Sequence, residues 1–443
     1  MNIKLSEHFG YKKLLRFTLP SIIMMIFTSI YGVVDGFFVS NYAGKTQFAA
    51  VNLIMPFLMI FGAVGFMIGT GGSALVSMKL GQKKPDKAKE IFSLLIYGLI
   101  AVGLVFTVIG IVTMRPVAHR LGATDDMLEY CVTYGRIIMV ALVPFMLQNV
   151  FQSFLVTAEK PHLGLYITIS AGITNMVLDW LFLAVFEMGI AGAALATAIS
   201  QFIGGIIPLI YFILPNKSPL RLGKTHFDGK AILKACTNGS SEFMTNVSMS
   251  VVNMLYNFQL IKLAGQNGVS AYGVIMYVNM FFVAIYLGYS IGSAPIVAYH
   301  YGAVNTDELQ GLLKKSLRII FTAAFFITVL AQILAPVLSS IFIGYDKELY
   351  RLTEHGFKIY AISFMLAGFN IYASSFFTAL NNGLISALIS FGRTLVFQIF
   401  SVLILPIFFG INGIWSSIVV AETLALVLSG VCLVKNRKKY HYA

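Results

Sequence analysis

Apolar segments of about 20 residues recur along the whole chain, and each is long enough to cross the ~30 Å hydrocarbon layer of a bilayer. Only 11% of the residues are charged, against about 25% in soluble domains, so a single water-soluble core is excluded. Membrane barrels alternate apolar and polar residues over segments of about ten residues, and the sequence lacks that pattern. It therefore predicts an all-α polytopic membrane protein.

The apolar segments predict 12 transmembrane helices, six in each half of the chain. The helices are expected at residues 14–40, 50–77, 91–114, 132–157, 163–186, 190–214, 240–264, 269–298, 317–343, 356–380, 383–409 and 411–434. With 12 helices, both termini lie on one side of the membrane. Most of the 31 Lys and Arg residues fall at the termini and in the loops on that side. Because basic loops stay in the cytoplasm, both termini are expected in the cytoplasm and the chain in a bacterial inner membrane. The net charge of +13 is thus a topology signal, and no nucleic-acid partner is predicted.

The second half of the sequence repeats the first. At an offset of 221 residues, Thr70–Gly81 aligns with Ile291–Gly302, and Gly189–Gly192 aligns with Gly410–Gly413. Because each half has an even number of helices, both halves enter the membrane from the same face. They are therefore expected to be related by a symmetry axis along the membrane normal. Two pseudo-symmetric six-helix bundles in an inverted V are typical of alternating-access transporters, and a receptor or channel scaffold is the alternative. The predicted units are an N-terminal lobe (1–214), a cytoplasmic linker (215–234) and a C-terminal lobe (235–443).

Four acidic residues lie inside the predicted helices, where a charge is costly and normally faces a cavity or a partner. They are Asp35, Asp179, Glu242 and Glu422. Glu242 falls in the first turn of its predicted helix, where it would favour the helix dipole or meet lipid headgroups. For Glu422, pairing with Arg393 and contact with a substrate are both open.

Asp35 and Asp179 are expected at the same depth in the membrane as two neutral polar residues, Asn175 and Thr197. At 1.5 Å per residue, Asp35 lies about 7 Å and Asp179 about 10 Å below the outer ends of their helices. Asn175 is one turn from Asp179, and Thr197 lies about 10 Å into the sixth helix. Their oxygens suit a hard cation, and a carboxylate pair also suits a proton. We therefore predict a coupling site for H⁺ or Na⁺ at these four residues, with a structural hydrogen-bond cluster as the alternative.

The repeat offers an internal control for this site. At the same offset, the four positions hold Tyr256, Val396, Phe400 and Ile418. A cluster needed only for packing should have survived in both halves more often than this. The asymmetry therefore assigns the coupling site to the N-terminal lobe.

Three segments resemble signatures of the MATE (multidrug and toxic compound extrusion) family. Tyr31–Phe57 is similar to its first-to-second helix signature, Asn175–Ser200 to its fifth-to-sixth helix signature, and Val297–Leu309 to the loop after its eighth helix. The resemblance runs from Pro20 to Glu422 and is to the bacterial branch that includes the MepA-like exporters. It implies an antiporter that exports drug-like, amphipathic or cationic compounds in exchange for H⁺ or Na⁺, without another cofactor.

The resemblance also bears on which residues bind the coupling ion. Prokaryotic members with a cation site in the N-terminal lobe have ligands that map onto Asp35, Asn175, Asp179 and Thr197. Other branches use acidic residues of the seventh and tenth helices. The tenth predicted helix has no acid here, and Glu242 falls very early in the seventh. A cation site in the C-terminal lobe is therefore not predicted.

Two polar helix faces are candidates for the substrate cavity. Asn149 and Ser153 recur at the repeat offset as Asn370 and Ser374, each pair one helical turn apart. Together with Tyr256 they are our candidate cavity residues, and hydrogen bonding between helices is the alternative use. The 37 Phe, 21 Tyr and 19 Met residues suit a cavity that repacks around different substrates.

Other functions lack their sequence signatures. No phosphate-binding loop G-x-x-x-x-G-K-[ST] is present, and the seven histidines and three cysteines form no metal-binding or disulfide pattern, so no enzyme is predicted. A flippase for a lipid-linked precursor is the rival function. Such flippases tend to have 14 helices and several cavity cations. This chain has 12 predicted helices, and Arg136 and Arg393 are the only basic residues within them away from the helix ends. The expected partners are a small organic substrate and the lipid bilayer, and the chain is expected to be monomeric.

Overall fold

The computed structural model describes residues 3–343 and 346–442, which are almost entirely helical and contain no β-strand. The helices are α1 (Tyr11–Phe38), α2 (Lys45–Gly81), α3 (Pro85–Arg120), α4 (Asp125–Val140), α5 (Leu142–Thr157), α6 (Pro161–Asp179), α7 (Gly189–Ile213), α8 (Gly229–Gly302), α9 (Thr306–Ile343), α10 (Lys347–Ala361), α11 (Phe364–Ala379), α12 (Gly383–Phe391) and α13 (Phe397–Tyr440). Short π-helical stretches follow α1, α6 and α12 at Val39–Ala43, Trp180–Val185 and Gly392–Val396.

These helices form the 12 predicted transmembrane segments within the described ranges. Eight continuous helical stretches are long and apolar enough to cross a membrane. Two more segments are the bent pairs α4–α5, with a bend of 56°, and α10–α11, with a bend of 47°. Two of the continuous stretches are each divided into two segments by a glycine with non-helical backbone angles. These glycines are Gly265 in α8 and Gly410 in α13. The predicted all-α membrane fold is confirmed.

The backbone repeats at the same offset as the sequence. Gly44 and Gly265 have φ of 90° and 59°, and Gly189 and Gly410 have φ of 58° and 55°. Glycine adopts this left-handed region without the steric penalty of a Cβ, so the chain can turn sharply where consecutive segments meet end to end. The bends between α4 and α5 and between α10 and α11 also occupy equivalent places in the two halves. Both halves are therefore built on one plan.

The seventh transmembrane segment begins earlier than the hydrophobic pattern predicts. α8 starts at Gly229 because the Asp228 side chain caps it, accepting a hydrogen bond from the Ala231 amide at 3.1 Å. The predicted linker 215–234 is therefore helical from residue 229. Glu242 consequently lies in the fourth turn of its helix, so the expectation of a first-turn position near the helix end was wrong.

The two halves contact each other closely near the end of the molecule that holds both termini, which we call the terminal face (loops 82–84, 158–160 and 303–305). The contact between α2 and α8 depends on glycines. A Cβ on Gly71 would lie 2.0 Å from the Ala235 carbonyl oxygen, and a Cβ on Gly239 would lie 1.8 Å from that of Met67. No larger residue fits without moving one half away from the other.

The N-terminal segment ties the halves together at the terminal face. The Leu5 amide donates to Glu159 Oε1 of the first half at 2.8 Å, and the Phe9 amide donates to Glu308 Oε1 of the second half at 2.9 Å. His8 Nδ1 lies 2.6 Å from the other oxygen of Glu308. Phe9 itself is fully buried in an apolar cluster with residues from both halves. The terminal face is therefore joined by both backbone packing and polar contacts.

We predict that Gly239→Ala destabilises this packing, whereas Gly273→Ala does not. The new methyl at 239 would overlap the Met67 carbonyl, and overpacking of this kind costs roughly 1–3 kcal/mol. A Cβ at Gly273 would meet nothing within 4 Å, and alanine favours a helix by about 1 kcal/mol over glycine. Thermal unfolding in detergent checks this, and a Gly239→Ala protein as stable as wild type would contradict the packing.

Candidate functional site

Four polar residues lie together inside the first half of the chain. Asp35 of α1 accepts a hydrogen bond from Thr197 Oγ1 of α7 at 3.5 Å. Asp179 and Asn175 of α6 lie beside the Asp35 carboxyl, within interaction range of it. The structure thus brings together, from three helices, all four residues that the sequence predicts as the coupling site. We call this group the acidic cluster.

The most deeply buried members of the acidic cluster have unmet hydrogen-bonding capacity. Asp179 is 0% and Asn175 is 1% exposed. Both Asp179 oxygens and both polar atoms of the Asn175 amide lack a hydrogen bond of normal geometry within the described part of the chain. An unmet buried polar group costs about 1–3 kcal/mol, and more if it is charged. The carboxylate, amide and hydroxyl oxygens together fit a bound proton or a hard cation.

Sequence reasoning missed two residues around this cluster. Tyr134 of α4 is 1% exposed and lies close to Thr197 and to both carboxyls. Gln148 of α5 lies beside Tyr31, and Tyr31 precedes Asp35 on α1 by one helical turn. The repeat would have indicated both, because the residues at +221 are His355 and Phe369, which are chemically different. Their polar groups make the cluster wider than four residues.

Two π-helical stretches adjoin the acidic cluster. One, Val39–Ala43, begins one turn after Asp35, and the other, Trp180–Val185, begins directly after Asp179. Such stretches disturb the regular hydrogen-bond ladder of a helix and occur often at functional sites. The helices that carry the two carboxylates are therefore both irregular at the cluster.

A cavity of about 360 Å³ lies between the two halves. Its volume is within the range of binding sites for drug-sized molecules. The apolar part of its wall includes Met25, Phe66, Met249, Tyr256, Tyr272, Met276, Met280, Tyr360 and Phe364. Flexible methionines beside rigid aromatic rings can repack around differently shaped molecules. Three charged residues, Glu242, Arg393 and Glu422, also line the wall.

The acidic cluster does not line this cavity. The contribution of α1 to the wall is Met25, Thr28 and Ser29, about two turns before Asp35 on the same helix. Ser29 Oγ also donates to the Met280 carbonyl of the second half at 3.3 Å. Helix α1 therefore borders the cavity with one part and holds a cluster carboxylate with another.

Two of the five candidate cavity residues border the cavity. Ser153 lines it from α5 and Tyr256 from α8. The Tyr256 ring stacks on that of Tyr272, with ring centroids 4.8 Å apart and planes 6° apart. This stacked pair forms a flat aromatic part of the wall.

The other three candidate cavity residues do not border it and hydrogen-bond between helices instead. Asn149 donates to the Gly62 carbonyl at 3.3 Å, and Asn370 donates to Glu422 Oε2 at 2.7 Å. Ser374 Oγ bonds to two serine hydroxyls, at 2.9 Å and 2.7 Å. A buried amide or hydroxyl is costly without a partner, and the neighbouring helices provide one in each case.

Arg393 and Glu422 form an ion pair at the cavity wall. Arg393 Nε donates to both carboxylate oxygens of Glu422, at 2.8 Å and 3.0 Å. The Glu422 side chain is 1% exposed and that of Arg393 is 16% exposed. Asn370 completes the pair from α11, and its own oxygen accepts a hydrogen bond from Ser429 at 3.0 Å. Of the two uses left open for Glu422, the structure shows the pairing.

The MatE family model matches the chain twice, over residues 20–181 and 243–404. One match covers most of each half, so the repeat seen in the sequence and in the backbone is also a repeat of the family unit. The chain belongs to the MatE family.

The chain is also similar to individual relatives and solved structures over nearly its whole length. The chain is similar to Multidrug export protein MepA of Staphylococcus haemolyticus, with 25% identity over 95% of this chain and 92% of the relative. The protein of the same name from Staphylococcus saprophyticus is 22% identical over 94% and 91%. A solved structure described as the outward-facing conformation of a multidrug resistance MATE family transporter superposes with a TM-score of 0.93. It covers 99% of this chain and 98% of that one at 20% identity.

We predict that breaking the ion pair at the cavity wall is more damaging than removing it. Arg393→Met leaves the Glu422 carboxylate buried without its counter-charge, which costs roughly 3–5 kcal/mol. The double variant Arg393→Met/Glu422→Gln removes both charges and should recover most of that loss. Thermal unfolding of the purified variants measures both, and a double variant less stable than the single one would refute the pairing.

Proposed function

We propose that this protein is a multidrug efflux transporter of a bacterial inner membrane. It exports amphipathic or cationic organic compounds in exchange for H⁺ or Na⁺. The single observation that carries the proposal is the buried acidic cluster with unmet polar atoms, set apart from a drug-sized cavity and joined to it by α1. The names of the similar proteins, which are multidrug exporters, support the same function. Members of this family are transporters rather than enzymes.

The proposed mechanism uses α1 as the link between ion and substrate. A proton or sodium ion at Asp35 and Asp179 removes the repulsion between the two carboxylates and repositions α1. Gly32 and Gly36 flank Asp35, and a Cβ on either would meet nothing within 4 Å. The face of α1 at these two glycines is therefore open, and glycines, lacking side chains, weaken the helix there. A movement at Asp35 is then transmitted to Met25 and Thr28 at the cavity wall.

The coupling ion exchanges for substrate only if the two favour different states of the lobes. A ligand shifts a conformational equilibrium by its difference in affinity between the states. In the structure, the glycine contacts and the N-terminal segment join the lobes at the terminal face. By the positive-inside rule, we expect this face to lie in the cytoplasm. We infer that ion binding favours this arrangement and substrate release to the outside, and that substrate loading requires the terminal face to open.

The lobes of the proposed transporter are residues 1–214 and 235–443, connected through the linker, and one chain holds both sites. A lipid-linked precursor flippase is the weaker alternative. Binding a pyrophosphate would need unpaired cations in the cavity, and the one arginine that lines it, Arg393, is already paired with Glu422.

We predict that Asp35→Asn and Asp179→Asn each reduce efflux of a fluorescent cationic dye at least tenfold at equal expression. Both substitutions keep the side-chain volume and remove the charge that binds the ion. Asp126→Asn serves as the matched control, because Asp126 is exposed in the first turn of α4. Efflux is measured from cells that carry each variant.

The same assay identifies the ion and can reject the proposal. Loss of wild-type efflux on removal of Na⁺ indicates sodium coupling, and loss with a proton uncoupler indicates proton coupling. Wild-type efflux rates in both cluster variants would reject the acidic cluster as the coupling site. A wild-type protein that exports no dye would reject the multidrug function.

A further inference from the structure

Residues 3–10 precede α1 of the first half, yet they bind to the second half, and we call them the strap. The Phe9 amide of the strap donates to Glu308 Oε1 at 2.9 Å, and Lys315 Nζ donates to the Phe9 carbonyl at 2.6 Å. His8 Nδ1 lies 2.6 Å from Glu308 Oε2. Glu308 and Lys315 both belong to α9, so the strap joins the first half to this one helix of the second half.

Glu308 is the central acceptor in this contact. It is buried although it is an acidic residue, and such a residue is rarely buried unless it is paired. Each of its two carboxylate oxygens has a partner in the strap. Its own backbone amide donates to Asn305 Oδ1 at 3.2 Å, which fixes the first turn of α9. The start of α9 therefore holds the Glu308 carboxylate ready for the strap.

The strap lies against the segment Val297–Leu309, which neither the acidic cluster nor the cavity uses. The ring of His300 is buried and packs edge-on against Phe9, with ring centroids 6.4 Å apart. A Cβ on Gly302 would lie 2.1 Å from the Met78 carbonyl oxygen of the first half. The segment thus contacts the first half through both its backbone and its side chains. Its role is to join the halves at the terminal face.

The repeat contains a second contact of the same kind. At the offset of 221 residues, Glu308 corresponds to Lys87 at the start of α3, and Glu7 of the strap corresponds to Asp228. Lys87 Nζ lies 3.7 Å from Asp228 Oδ2. In each half, the start of the third transmembrane segment therefore contacts the residues that lead into the other half.

The two contacts differ in strength. The side chains of Lys87 and Asp228 are 40% and 34% exposed, and exposed ion pairs contribute little to stability. Glu308 is buried and accepts a hydrogen bond from a backbone amide, and hydrogen bonds to a charged group are about twice as strong as neutral ones. The contact at Glu308 is therefore the one able to hold the terminal face together.

We propose that Glu308 is the latch of the terminal face. It binds the strap while the lobes are joined and releases it when the face opens for substrate loading. The inference rests on the proposed function, which requires this face to open, and it names the contact that must break. Opening admits water to the Glu308 carboxylate, and water replaces the lost hydrogen bonds, so release is reversible. Glu308 touches neither ion nor substrate and acts as a positioning residue.

Cysteine labelling of the purified full-length protein in lipid nanodiscs tests the latch. Cys131, Cys236 and Cys432 are replaced by alanine, and Ala74→Cys is the reporter. Ala74 of α2 is buried, and its carbonyl accepts a hydrogen bond from the Asn381 amide of the second half at 3.4 Å. A thiol at this position reacts with a maleimide when the halves separate there, so the labelling rate measures opening of the terminal face.

We expect Glu308→Ala to raise the labelling rate about fivefold or more, the effect of losing one or two net hydrogen bonds. His8→Ala should raise the rate less. Added to Glu308→Ala it should change the rate less than about twofold, because His8 acts through Glu308. Glu308→Gln keeps an acceptor for the Phe9 amide and should give an intermediate rate. Asp307→Ala removes an exposed acidic side chain from the same turn and should leave the rate unchanged.

Several results would overturn the latch. An unchanged rate in Glu308→Ala would do so, and an equal increase in Asp307→Ala would indicate a general loosening of α9 instead. Fully additive effects of His8→Ala and Glu308→Ala would assign these residues to independent contacts. If Glu308→Ala does not fold, Glu308→Gln and His8→Ala provide the same comparison with Asp307→Ala.

The labelling result is separate from the test of the proposed function, because it needs neither substrate nor an ion gradient. Unchanged labelling in a protein with normal dye efflux rejects the latch alone. The expected labelling pattern in a protein that exports no dye supports the latch and rejects the multidrug function.

Discussion

The structure depends on the high cost of a buried charge in an apolar environment. Each charged group among the helices meets that cost in a different way. Arg393 and Glu422 do so by pairing with each other, with Asn370 as a third partner. Asp35 and Asp179 lie side by side in a cluster that fits a proton or cation, and the Asp179 oxygens form no hydrogen bond of normal geometry within the described residues. The carboxylates without a cationic protein partner are the groups that we propose for ion binding.

Separation of the two kinds of site follows from the helical repeat. Because each half has its own bundle, one can hold the carboxylates of the proposed coupling site while the other provides most of the cavity wall. Helix α1 belongs to the first bundle and also contacts the second through Ser29 and the Met280 carbonyl. The contact of α2 with α8 is tight because Gly71 and Gly239 allow the backbones to touch. We propose that a small movement near Asp35 acts on a structure in which the lobes are joined at one face and enclose a cavity elsewhere.

Much of this arrangement is encoded in features that the sequence displays directly. The offset of 221 residues aligns Gly189 with Gly410, and both adopt the left-handed conformation in the structure. Depth within the helices predicts the grouping of Asp35 with Asp179. The start of α8 could not be read from hydrophobicity, because polar capping by Asp228 begins the helix before its apolar part. Polar stripes did not separate cavity residues from helix contacts either. Ser153 and Asn149 lie one turn apart, yet which of them faces the cavity depends on how α5 packs against its neighbours.

The most direct test of the central claim, that the acidic cluster couples ion movement to substrate movement, is a flux measurement in proteoliposomes. A gradient of a fluorescent organic cation is imposed without any ion gradient, and entrapped indicators report internal pH and Na⁺. For the wild-type protein we predict a flow of H⁺ or Na⁺ opposite to the substrate. For the Asp35→Asn/Asp179→Asn variant we predict no such counterflow. A wild-type counterflow in that variant would contradict the account.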